Sequence, residues 1–185
     1  MHFTHDTVIS LRGAAALVNS AVGAYPDRDG DTLQTTADLA DFVRSWSWSG
    51  QHVGDETELE QVRALRPRLR QLWLAEDDAA CVAVVNELLR DGDALPQVVE
   101  HDGYGWHIHA TEWDAPLAVR MQVEAAMAVV DVIRAGERSR MTLCAAEDCD
   151  DVVVDLSRNR SRRYCESGCG NRLAAAAYRS RRSPT

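Results

Sequence analysis

The chain contains no lysine, so all 20 of its basic residues are arginine and every cationic side chain is a guanidinium fork. It has no apolar run of about 18 residues, so no transmembrane helix is expected. No Gly-rich phosphate loop occurs, nor a Gly-x-Ser-x-Gly or His-Glu-x-x-His pattern, and this argues against the corresponding enzymes. Internal repeats and low-complexity tracts are also missing. The uncharged stretch from Gly13 to Pro26 is a poor secretory signal, because Asn19 and Ser20 interrupt it and Asp6 lies in the would-be basic region. Cysteine is scarce and odd in number, at five, which fits a disulfide framework badly. The expectation is a cytoplasmic, reduced, non-enzymatic protein.

What is present is divided unevenly. The 185-residue chain carries a formal net charge of −9. Residues 1–157 hold 12 arginines against 28 acidic residues, whereas residues 158–185 hold 8 arginines against one, Glu166. An acidic body with a basic end suggests two roles on one chain.

Helical periodicity dominates the body. Leu11, Ala14, Ala15, Val18 and Val22 share a face. Tyr25 to Asp31 reads as a loop. Thr36 is a plausible N-cap for a helix through Leu39, Phe42, Val43 and Trp46, which Ser49 and Gly50 end. Glu56, Glu58 and Glu60 favour the positive end of a third helix through Val62, Leu65, Leu69 and Leu72, which Pro67 should kink or divide. Ala79 to Leu89 forms a fourth, with Val82, Val85, Leu88 and Leu89 inward. Residues 97–101 and 104–109 are β-prone around Asp102-Gly103 and predict a hairpin. A two-residue turn would pair Val99 with Trp106 and Val98 with His107. The last helix of the body, Ala115 to Arg134, shows a stripe of Val119, Val123, Ala126, Met127, Val130 and Ile133. A mainly α domain over residues 1–140 with one hairpin is therefore expected. His107 and His109 share a strand face and could hold a metal with Glu100 or Glu112, but an exposed polar face explains them better. Trp46, Trp48 and Trp73 could line a small-molecule pocket between helices.

Four cysteines cluster at the other end, as Cys144-x4-Cys149, fifteen residues, then Cys165-x3-Cys169. Two close pairs at this separation have the layout of a four-thiolate zinc site. Val152 to Leu156 would leave the metal as a strand, Ser157 to Ser161 would turn, and Arg162 to Tyr164 would return as a second strand. A knuckle, a hairpin and a helix resemble a treble-clef finger over residues 141–185. So small a module needs its metal, since structural zinc contributes about 10–16 kcal/mol in finger peptides. Four sulfurs leave no open position, so one structural Zn2+ is expected. Cys81 reads as a small buried hydrophobe.

The arginines gather around this finger. Arg158, Arg160, Arg162 and Arg163 lie on or beside its hairpin, and Arg172, Arg179, Arg181 and Arg182 on the final Ala-rich helix. A thin helix with guanidinium forks suits a DNA groove, with Asn171 or Arg172 near base edges and the others on phosphates. Asn171 and Arg172 each follow a ligand closely, so structural roles are equally open: Arg172 could pair with Asp155, and Asn171 could cap the knuckle.

Cys144-x4-Cys149, Val154-x-Leu156-Ser157, Arg162-Arg163-Tyr164-Cys165 and Cys169-Gly170-Asn171-Arg172 together resemble the CGNR zinc finger. Leu17-Val18-Asn19, Asp38 to Phe42 and Leu65-Arg66 are similar to the ABATE domain that precedes this finger in a bacterial family described as stress-induced transcriptional regulators. In two respects the chain departs from that pattern. The family's second cysteine pair is often one residue wider, and an aromatic usually stands where Val154 does. The resemblance implies DNA binding and a role in transcription. A homodimer is a natural expectation for such a regulator. A zinc-stabilised protein-interaction module and a thiol redox switch are the alternatives.

Overall fold

The computed structural model describes residues 3–21, 30–46, 48, 50–100 and 105–182. Its elements are α1 (His5–Asn19), α2 (Thr36–Ser45), α3 (Glu56–Leu74), α4 (Asp78–Asp91), β1 (Gln97–Glu100), β2 (Trp106–His109), α5 (Leu117–Arg134), a 3-10 turn (Arg138–Arg140), β3 (Met141–Leu143), β4 (Val152–Val154) and α6 (Cys169–Arg182). The architecture is mainly α, with two small antiparallel hairpins. Predicted positions Val22, Tyr25 to Asp29, Ser49, His101 and the Asp102-Gly103 turn lie outside the described residues.

The first four helices start where a polar side chain satisfies an orphan backbone N–H. Thr4, Thr35, Asp55 and Asp77 accept from Thr7, Asp38, Glu58 and Ala80 respectively. The cap of α2 is Thr35, not Thr36. Asp38 returns the bond to the Thr35 backbone and closes a capping box, which a Thr at 36 could not form with it.

Pro67 neither divides nor ends α3, which runs unbroken from Glu56 to Leu74. A proline at 67 leaves the carbonyl of Arg63 without its intrahelical donor. Arg66 fills that role, donating from Nε to the Arg63 carbonyl at 3.3 Å. The same guanidinium then grips Asp31 at 2.8 and 2.7 Å, tying the segment before α2 to α3.

At the centre lies α5, which packs against α1, α3 and α4. Val123 and Ala126 are buried as predicted, but Val119, Met127, Val130 and Ile133 are half-buried. Met121, Ala125, Ala128, Val129 and Val132 form the deepest contacts instead. A helix covered on several sides has no single stripe, so periodicity alone misplaces its face. On α4, Cys81, Val85 and Leu88 point inward, whereas Val82 is 37 % exposed.

The first hairpin pairs Val99 with His107 and Val98 with Ile108, one residue out of the register a two-residue turn would impose. Val99, His107 and His109 therefore share the half-buried face. The apolar face is the exposed one: Val98, Trp106 and Ile108 are 66, 73 and 55 % exposed. The two imidazoles contact each other through Nε2 atoms 3.1 Å apart, and His107 Nδ1 lies 2.8 Å from the Gly105 carbonyl.

The second hairpin differs from its predicted form. β4 pairs with β3, the segment before the first cysteine pair, with Met141 opposite Val154 and Leu143 opposite Val152. Residues 162–164 are not a strand. Asp155 redirects them: its carboxylate accepts from the Ser157 backbone, the Ser157 hydroxyl and the Arg162 backbone at 2.8, 2.5 and 2.9 Å. Burial opposes ionisation of Asp155, yet these bonds hold its carboxyl below the usual range.

All three residues of β4 are buried, and they serve two different cores. Successive side chains on a strand point to opposite faces. Val152 and Val154, with Met141, join the large helical core, while Val153 joins the four cysteines. Trp73 donates from Nε1 to the Val153 carbonyl at 3.0 Å. Asn19 clasps the Val152 backbone in both directions, at 2.9 and 2.8 Å.

Candidate metal centre and basic helix

Cys144 and Cys149 bound the tight connection from β3 to β4; Cys165 precedes α6, and Cys169 is its first residue. The four side chains are buried, and their sulfurs all lie within 4.8 Å of one another. Cys149 and Cys165 Sγ atoms are 3.8 Å apart, and those of Cys165 and Cys169 are 3.5 Å apart. A tetrahedral ion with Zn–S bonds near 2.3 Å needs sulfurs about 3.8 Å apart. No disulfide joins them. Among the described residues this is the one group of side chains placed to hold a metal ion.

Without a metal, burial and mutual contact leave these sulfurs with conflicting protonation tendencies. Burial raises the Cys149 thiol well above its ordinary range and pushes Cys165 up to about 12. Burial also works against a Cys144 thiolate, but backbone N–H groups of Ala146 and Cys165 overcome it and lower that thiol. Four bare thiolates in so small a volume would repel one another, and a dication removes both the repulsion and the burial penalty. The donor set is all-sulfur and closed, so the residues fit one structural zinc ion.

The residues after Cys169 can now be sorted. An added Cβ at Gly170 would stand 3.1 Å from the Tyr164 ring, so a larger residue here would have to push that ring aside. Arg172 makes a bidentate pair with Asp148, both contacts at 2.6 Å, and its guanidinium also reaches Cys169 Sγ at 3.8 Å. It thus fastens the helix that begins at Cys169 to the knuckle bearing the first pair. Its partner is Asp148 and not Asp155, which is occupied in organising the 157–162 loop. Asn171 is exposed and its side chain makes no hydrogen bond among the described residues, so it does not cap the knuckle.

The other arginines also divide. Arg160 pairs with Glu137 at 2.7 Å, and Arg162 with Glu166 at 2.7 Å. The bond from Arg140, helped by the charge of Arg160, holds Glu137 below the usual carboxylate range. Arg158, Arg163 and Arg181 are exposed and form no ion pair among the described residues. Arg182 is exposed too; it donates to the Tyr178 hydroxyl at 2.6 Å and lies 5.4 Å from that ring. Arg179 is exposed as well.

Helix α6 touches the rest of the protein at its start. Cys169 is buried and Leu173 packs on the cysteine cluster, but every residue from Ala174 to Arg182 is exposed. At 100° per residue, Cys169 and Leu173 define the inward side, and Asn171, Ala175, Tyr178 and Arg182 fall opposite. Sequence reasoning missed Tyr178. Its position on this stripe was readable from helical spacing once Cys169 was known to begin the helix.

Trp73 is core, the Trp48 ring packs over Gly13, and Trp46 lies beside Phe42 and 5.9 Å from the Arg12 guanidinium.

A helical domain followed by a four-cysteine finger with one closed metal site defines the class: a zinc-finger protein. Comparison with known families is specific on both parts. Residues 140–182 match the CGNR zinc finger, and residues 11–136 match the family described as "ABATE: Putative stress-induced transcription regulator". The chain belongs to the ABATE family and carries a CGNR finger. No match was found among curated proteins. No helix among the described residues is long and apolar enough to cross a membrane.

Proposed function

We propose that this protein is a DNA-binding transcriptional regulator in which zinc is structural and α6 is the element that meets the nucleic acid. The observation that carries the reading is the exposure of α6 from Ala174 to Arg182. A helix of 14 residues is marginal by itself in water. This one is anchored at the zinc cluster and otherwise uncovered, with a thin alanine body. Asn171, Tyr178 and Arg182 form its outward stripe, where Asn suits an adenine edge and Arg a guanine edge or a phosphate. Arg158, Arg163 and Arg181 supply further phosphate contacts. Arg172 is withdrawn from the base-reading set, because its fork is held by Asp148. Arg160 and Arg162 have acidic partners of their own and become secondary contacts at most.

The reading includes a cytoplasmic location, no catalytic role and a homodimer, because a single finger gives little affinity or sequence choice. The family description supports regulation of transcription. The exposed alanines of α6 also suit docking against a protein helix, which is the second reading.

Salt dependence separates the two. With about four phosphates neutralised, log K should fall against log salt with a slope near −4. Fluorescence anisotropy of the zinc-loaded full chain on duplex DNA measures it, and a flat response removes the DNA reading. Asn171→Ala should weaken binding while keeping full zinc stoichiometry. Arg172→Ala should lower zinc affinity itself, by about 10–100-fold. If both variants keep zinc and bind DNA normally, Asn171 does not read DNA and Arg172 does not brace the metal.

A further inference from the structure

A cleft of about 300 Å3 opens at the seam between the helical domain and the finger. One wall is α1, with Arg12, Ala15 and Ala16; the floor is β4; the other wall is the 162–167 segment, with Arg162 and Glu166. Most polar groups around it are already engaged. Asn19 is clasped to the Val152 backbone, Ser20 donates to the Leu17 carbonyl, and Ser167 donates to Asp151. The two arginines are different. Arg12 and Arg162 arrive from separate parts of the chain and converge on one carboxylate, Glu166, at 3.5 and 2.7 Å. Glu166 is 58 % exposed, and its arginine partners are 50 and 43 % exposed. Such exposed pairs contribute little to stability and exchange readily.

The cleft thus joins two convergent guanidinium forks to an apolar floor of alanine and valine. Guanidinium forks match a carboxylate's geometry, and a pocket of this size suits a small molecule. We propose that this seam is a binding site for a small monocarboxylate with a compact apolar body. Arg12 and Arg162 take its carboxylate, Ala15, Ala16 and the β4 floor of the cleft face its body, and Glu166 stands in for the ligand's anionic group in the free protein. The ligand contacts both the helical domain and the finger, so it joins the two parts of the chain. A consequence for DNA binding rests on the regulator reading; the binding site itself does not.

The test uses sodium benzoate as the probe and isotope-labelled, zinc-loaded full-length protein. Saturable chemical-shift changes are expected at Ala15, Ala16 and Val153. Benzamide, equal in shape but uncharged, should bind at least about tenfold more weakly. Arg12→Ala should weaken benzoate by about tenfold. Glu166→Gln should tighten it several-fold, because the internal competitor is gone, whereas a merely structural Glu166 would give no gain. Unchanged zinc content in each variant shows that the fold is intact. The proposal is overturned if benzoate gives no saturable shift, if benzamide or inorganic phosphate binds equally well, or if Glu166→Gln fails to tighten. Benzoate that binds without altering DNA affinity leaves the site standing and removes only its regulatory consequence. DNA binding that fails altogether removes the regulator reading and leaves the site untouched.

Discussion

Glu124 sits half-buried on α5, and its surroundings set its charge. Loss of solvent raises its carboxyl to about 7 from an ordinary 4.5; the nearby Arg120 charge opposes the rise and Asp6 adds to it. The folded protein therefore keeps a proton that the unfolded chain releases between pH 4.5 and 7. More protons on the native state mean that stability falls as pH rises through this window. Glu124→Gln removes that penalty. It should raise Tm at pH 8 by roughly 5 °C, with less than half that gain at pH 5.5. Thermal melts of both proteins at the two pH values test this, and an equal gain at both would contradict the assignment. No sequence signal foretold it, because its burial depends on how α5 packs against α1, α3 and α4. The four-cysteine cluster, by contrast, was legible from spacing alone. The Arg172 partner was not: Asp148 lies 24 residues earlier, and several carboxylates were equally available to a reader of the sequence.

At the scale of elements, helices were the most legible, since 3.6-residue periodicity is a local property. Their ends were less so. Thr35 and Thr36 both suit an N-cap by residue type, and only the reciprocal bond from Asp38 decides between them. Thr35→Ala should cost about 1 kcal/mol, whereas Thr36→Ala should be close to neutral. Urea unfolding of the two variants separates these outcomes, and a larger loss for Thr36 would place the cap one residue later. The first hairpin was legible in existence and not in register, because one residue in the turn shifts every pair. The finger's hairpin was harder. Asp155 bends the chain after β4, so a β-prone return segment never pairs, and the true partner, β3, lies before the first cysteine. Continuity through Pro67 depended on a neighbouring guanidinium, which no helix-breaker rule contains.

For the molecule as a whole, charge asymmetry and cysteine spacing separated a helical body from a finger, and the two family matches fall on either side of residues 137–139. Packing joins what those boundaries separate. Met141, Val152 and Val154 belong to the helical core, yet they flank the first cysteine pair. Removing zinc with a strong chelator should melt α6 and also loosen the contact of α1 with β4. Hydrogen exchange should then show lost protection at Val152 to Val154 and in the last turn of α1. Loss confined to α6 would mean that the strand holds without its metal.

The helical core and the cysteine cluster thus meet at a single ribbon of valines. A fragment cut near residue 140 would carry away the second core's lining with bare apolar side chains on its back. Conversely, any event that tugs on α1 reaches the sulfurs through one thickness of polypeptide. The two cores therefore need no hinge, linker or relay between them; they lie on the two sides of one sheet strand.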